Sequence, residues 1–75
     1  MPYRRLTIRE LKNGMEGFDV KLAQSALDCF GYSVIVDGIF GKTMETKVLD
    51  FQTKKKLNAS GVIDLQTWRE LLKFE

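Results

Sequence analysis

The chain contains no histidine, a single cysteine and a single proline among 75 residues. Without histidine there is no Cys-His or Ser-His pair, and one thiol cannot form an internal disulfide or a nitrogen and sulfur cluster for zinc. A carboxylate pair is the remaining route to catalysis among ten acidic residues. So short a chain offers little room to desolvate two carboxylates and separate their pKa values. Composition thus argues against an enzyme and implies neither a cofactor nor a metal. No apolar run approaches the roughly 18 residues of a membrane span. The opening Met1-Pro2-Tyr3-Arg4-Arg5-Leu6 lacks the apolar stretch of a signal peptide. A formal net charge of +2 is too small to argue for nucleic acid by itself.

What is present suits one small domain, with 44% hydrophobic residues and five Phe, two Tyr and one Trp. A chain of this length buries only about 60% of its unfolded surface, so its stability is expected to be modest. The organising stretch is Asp37 to Gln52, DGIFGKTMETKVLDFQ. Gly38 and Gly41 punctuate a turn, Ile39 and Phe40 pin it to a core, and Met44, Val48 and Phe51 share one helical face. Gln52 falls at the polar edge of that stripe. A second copy of the pattern follows: Gly61-Val62-Ile63 aligns with Gly38-Ile39-Phe40, Leu71 with Val48 and Phe74 with Phe51.

Taken in order, Tyr3 to Gly17 carries Leu6, Ile8, Leu11 and Met15 at irregular spacing. It reads as an extended arm ending in a turn, with residues 1–13 packing on a domain formed by 14–75. Asp19 is a natural N-cap for a first helix from Val20, and Gly31 a natural stop. Val20, Leu22, Ala23, Ala26, Leu27, Cys29 and Phe30 give that helix a wide apolar face. Lys21, Gln24, Ser25 and Asp28 share the other side, and Cys29 reads as a small buried hydrophobe. Tyr32 to Phe40 also spells a short β-hairpin, but an isolated hairpin is marginal, so an irregular loop is expected. A second helix is predicted from Lys42 to Lys55, with Lys54-Lys55-Lys56 complementing the negative end of its dipole. A third runs from Asp64 or Leu65 to Lys73, with Asp64 as cap and Leu65, Trp68, Leu71 and Leu72 as its apolar stripe. The expected fold is all-α, a compact three-helix bundle with structured loops. Its core centres on Leu27, Phe40, Val48, Phe51, Trp68 and Leu71.

From Gly14 to Leu72 the chain resembles the peptidoglycan-binding domain of bacterial and phage cell-wall hydrolases. The residues that carry the resemblance are Gly17, Asp19-Val20, Gln24, Leu27, Gly31-Tyr32, Asp37-Gly38, Phe40-Gly41, Val48, Phe51-Gln52, Leu57, Gly61 and Thr67-Trp68. Four departures stand beside them. Met44 occupies a position where Thr is usual, and Ser60 and Asp64 replace a usual Asp and Gly. Lys56 stands where a glycine is usual, at a cost of about 1–2 kcal/mol if the backbone there is left-handed. The resemblance implies a non-catalytic module that holds an attached hydrolase or a phage component at the bacterial wall. Its partner would be a peptidoglycan glycan strand or stem peptide, and it would act as a monomer.

Gln24, Tyr32, Asp37 and Gln52 are the candidate ligand-binding residues. The two amides offer donors and acceptors, Asp37 an acceptor for hydroxyl or amide groups, and Tyr32 a face for a sugar. Structural roles stand beside these: the glutamines could bond loop backbone, and for Asp37 the favoured role is to stabilise its own turn. If the glutamines flank an open groove, replacing both should weaken wall binding and leave the melting temperature nearly unchanged. Two other functions compete. One is a docking module of a phage or envelope assembly that keeps the fold without wall binding. The other is a small helical nucleic-acid binder using Arg4, Arg5, Arg9 and the lysine run. The pro-segment of some metalloproteases shares the fold, but a mid-helix Cys29 does not suit the zinc-capping cysteine of such segments.

Overall fold

The computed structural model describes residues 9–73. Its three helices are α1 (Phe18–Cys29), α2 (Lys42–Lys54) and α3 (Leu65–Leu71). The expected all-α bundle is observed, and α1 packs against both α2 and α3. Arg4, Arg5, Leu6, Ile8 and Phe74, which entered the sequence argument, lie outside the described residues.

Helix α1 begins two residues before the expected start, with Gly17 as its N-cap. Asp19 therefore lies in the first turn, where its carboxylate takes both Nε and Nη2 of Arg9. A carboxylate near a helix N-terminus is favoured without being the cap itself. The buried side of α1 is Val20, Ala23, Gln24, Ala26 and Leu27. Leu22 and Cys29 are exposed, which corrects the wide apolar arc read from sequence. At about 100° per residue Gln24 sits only about 40° from Val20, whereas Leu22 and Cys29 lie on the far side of the helix.

Helix α2 buries Met44, Val48, Phe51 and Gln52, and Lys55 caps it. Lys56 then adopts φ 60°, the left-handed value usually left to glycine. Asp64 caps α3 as expected: its Oδ1 accepts from the Thr67 backbone N–H at 2.9 Å and from the Thr67 hydroxyl at 2.9 Å. The last helix is shorter than predicted, ending at Leu71 with Leu72 as its C-cap.

All six expected core residues are buried, joined by Leu11, Val20, Ala23, Ala26, Met44 and Ile63. Phe51 is the hub, with Phe30 and Tyr32 set edge-on to its ring at centroid distances of 5.2 and 6.0 Å. Such pairs contribute about 0.5–1.5 kcal/mol beyond burial. The segment before α1 laces the two interhelical loops together. Leu11 exchanges backbone hydrogen bonds with Ile63 at 3.1 and 2.8 Å, the Trp68 indole donates to the Arg9 carbonyl at 2.9 Å, and Gly17 N–H donates to the Gly38 carbonyl at 3.0 Å. Residues 32–40 form no hairpin; a single bridge joins Ile39 to Glu16.

Candidate functional site

Each of the two loops is held by a glutamine from the preceding helix, and the geometry repeats. Gln24 Oε1 accepts from the Gly38 N–H at 2.8 Å, and its Nε2 donates to the Ile39 carbonyl at 3.0 Å. Gln52 Oε1 accepts from the Gly61 N–H at 3.0 Å, and its Nε2 donates to the Val62 carbonyl at 2.8 Å. The glycines have φ values of 80° and 82°, a region that a Cβ disfavours. In both copies the second apolar residue, Phe40 or Ile63, is buried. The internal repeat read from sequence is thus a repeated hydrogen-bonded clamp.

This placement corrects the expectation that the glutamines sit at polar edges. Gln24 is 1% exposed and Gln52 fully buried. A buried amide must find partners, and the loop backbone supplies them. Gln52 also donates to the Thr67 hydroxyl at 3.0 Å, so its hydrogen-bonding capacity is committed inside the fold.

Asp37 is different. Its Oδ1 accepts from the Ile39 N–H and from Gln24 Nε2, each at 3.0 Å, which closes an Asx turn. The Ile39 N–H first, and the Gln24 amide second, hold its carboxyl below the usual range, so it is ionised at neutral pH. With Oδ1 tied, Oδ2 has no hydrogen-bond partner among the described residues and can accept from an outside donor. The residue stands on the rim of a depression of about 400 Å³ whose lining also includes Gln24, Ser33, Lys42 and Thr43 with the apolar Val34, Ile35, Ile39 and Met44. Ile35 and Ile39 are 79% and 55% exposed, large apolar groups left on the lip. Gly41 begins α2 beside this depression without a side-chain cap.

Among the four candidates the structure brings Gln24 and Asp37 together. Tyr32 lines a separate depression near the ends of α1 and α2, and Gln52 serves the second loop. Sequence reasoning missed Ile35, Ser33, Lys42 and Thr43 as lining residues; an apolar Ile35 in a loop was the available signal. Among the described residues no group of His, Cys, Asp and Glu could hold a metal ion, and no helix is long and apolar enough to cross a membrane.

The fold is a small helical domain whose loops are clamped onto the helices, with a mixed polar and apolar depression beside one of them. The family model described as "Putative peptidoglycan binding domain" matches residues 16–71, and the chain belongs to that family. It is 38% identical over 72 residues to the uncharacterised protein FadG of Bacillus subtilis, covering 96% of this chain and 12% of that one. A peptidoglycan-binding protein from Clostridioides difficile is structurally similar, with TM-score 0.83 and 38% identity over 84% of this chain and 40% of its own. The endolysin of the Burkholderia phage AP3 is similar too, with TM-score 0.83 and 31% identity over 85% of this chain and 25% of its own. The chain thus spans only a fraction of the length of these relatives.

Proposed function

We propose that this protein is a non-catalytic module that binds peptidoglycan, a glycan strand or its stem peptide, through the depression beside Asp37. It would hold an attached hydrolase or phage component at the cell wall. Family membership supports the wall as the setting, and the length of the relatives supports an attached domain. The observation that carries the site is the Asp37 carboxylate, fixed through Oδ1 and open at Oδ2 on the rim of the depression. Its volume falls within the roughly 300–1,000 Å³ typical of small-ligand sites. Wall ligands are rich in hydroxyl and amide donors that suit a fixed carboxylate, while Ile35 and Ile39 offer cover for the CH faces of a sugar. Gln24 acts as a positioning residue, holding both Asp37 and the backbone on either side of Gly38.

Asp37→Asn tests this reading, because an amide oxygen can keep both internal bonds while a donor replaces the free Oδ2. Sedimentation with purified, insoluble peptidoglycan should weaken about tenfold, the loss of one hydrogen bond to a charged group. Unchanged binding by a variant that melts like the parent would refute the site.

A further inference from the structure

A second depression, of about 330 Å³, lies between the ends of α1 and α2 and is lined by Phe30, Gly31, Tyr32, Phe51, Lys54 and Lys55. Its floor is aromatic, and the Lys55 ammonium stands 5.1 Å from the centroid of the Phe30 ring and 5.9 Å from that of Phe51. The structural explanations for this lysine run are charge at the negative end of the α2 dipole and side-chain capping of its last carbonyls. Yet the carbonyls of Phe51, Gln52 and Thr53 accept from the backbone N–H groups of Lys55, Leu57 and Lys56. The ion pairs among the described residues are Arg9 with Asp19 and Lys73 with Glu70, so neither Lys54 nor Lys55 has a carboxylate partner there. The ring faces attract the Lys55 ammonium without neutralising it. The depression thus joins an aromatic floor to two lysine side chains, Lys54 and Lys55.

We infer that this depression binds the phosphodiester groups of an anionic wall polymer, a polyol or sugar phosphate chain, as a second contact beside the Asp37 site. The setting rests on the wall-binding reading, but the residues are separate. Lysine binds phosphate as a point charge, whereas a single carboxylate is best matched by the two-pronged guanidinium of arginine, which is absent from this lining. Adjacent ammonium groups also match a polymer that repeats its charge along the chain. The CH faces of its polyol or sugar units would lie on Tyr32 and Phe30.

The test is sedimentation against two wall preparations from the same cells, one retaining its phosphodiester polymer and one stripped of it with hydrofluoric acid. The parent should bind the polymer-bearing wall about tenfold more tightly at low salt. That preference should vanish in the Lys54→Gln, Lys55→Gln double variant, and it should shrink when salt reduces the Debye length to about 3 Å. Melting within a few degrees of the parent would show the double variant folded, as expected for surface substitutions. A parent with no preference, or a preference that survives the lysine substitutions, overturns the inference. So does equal loss on both preparations, which would assign the lysines to stem-peptide carboxylates. Asp37→Asn should weaken binding to the stripped wall and leave the ratio between preparations intact. Failure of that arm alone strikes the Asp37 site and not this one.

Discussion

Replacing Gln52 with Ala should remove a large share of the domain's stability. Gln52 is fully buried, and its side chain makes three hydrogen bonds, with Gly61 N–H, the Val62 carbonyl and the Thr67 hydroxyl. Truncation leaves the buried Gly61 N–H and the half-buried Val62 carbonyl without the amide, while the Thr67 hydroxyl keeps its hydrogen bond to Asp64. Each such group costs about 1–3 kcal/mol when unsatisfied, and the space vacated adds a cavity cost. Two stranded groups and a partly collapsed cavity give about 3–5 kcal/mol. Domains of this length have a total stability of roughly 4–11 kcal/mol. Each kcal/mol moves the midpoint by about 4–8 °C in domains this small, so the loss should be at least about 12 °C. Thermal melting followed by far-ultraviolet dichroism reads this directly, and Gln52→Met separates the two causes by restoring volume without the amide. If Gln52→Ala melts within about 3 °C of the parent, the clamp does not hold the second loop. The predicted loss departs from the sequence-based expectation that both glutamines could be replaced with the melting temperature nearly unchanged.

Other outcomes follow from single residues. Lys56→Gly should raise stability by about 1 kcal/mol, read as a higher denaturant midpoint, because Lys56 adopts φ 60°. Cys29 is exposed, so a thiol reagent should label it in the folded protein, with no denaturant needed. The Asp37 and Asp19 carboxyls both titrate below the ordinary value of 3.8, Asp37 chiefly through the Ile39 N–H and Asp19 chiefly through its hydrogen bond from Arg9. Their contribution to stability is complete above that value and is lost as pH falls through their lowered pKa values. Acid melts of Asp37→Asn should therefore fall less steeply with pH below about 4 than those of the parent.

Much of the fold was legible because helical spacing concentrates large apolar residues on one side. Val48 and Phe51 are three apart, Trp68 and Leu71 likewise, and all four are buried. The errors fell where residue type and position disagree. Gln24 lies inside the apolar stripe of α1, and its partners, Asp37, Gly38 and Ile39, come from the far end of the loop that follows the helix. Cys29 is apolar yet faces away from the core. The pairing of Leu11 with Ile63 joins distant parts of the chain, and no local periodicity reports it. At the candidate site, the Asx turn at Asp37 could be read from its Asp-Gly pair. That Tyr32 faces a different depression depends on the backbone path through residues 33–36, where sequence offered hairpin and loop alike.

The repeated clamp also explains why its two copies need not share a function. In the first, Gln24 Nε2 is shared between the Ile39 carbonyl and Asp37, a carboxylate on the surface beside an open depression. In the second, the corresponding turn oxygen is Ser60 Oγ, which accepts from the Val62 N–H at 3.1 Å and adds no charge. The other proton of Gln52 Nε2 goes inward to Thr67, whose hydroxyl donates to the Asp64 cap of α3. The second loop is thereby tied through its clamp to the start of the last helix. The first clamp spends the same amide on presenting a carboxylate to solvent. One hydrogen-bonding device therefore closes the fold at Gln52 and, at Gln24, fixes the surface carboxylate of Asp37, so substitutions around the second clamp should register in stability and those at Asp37 in binding.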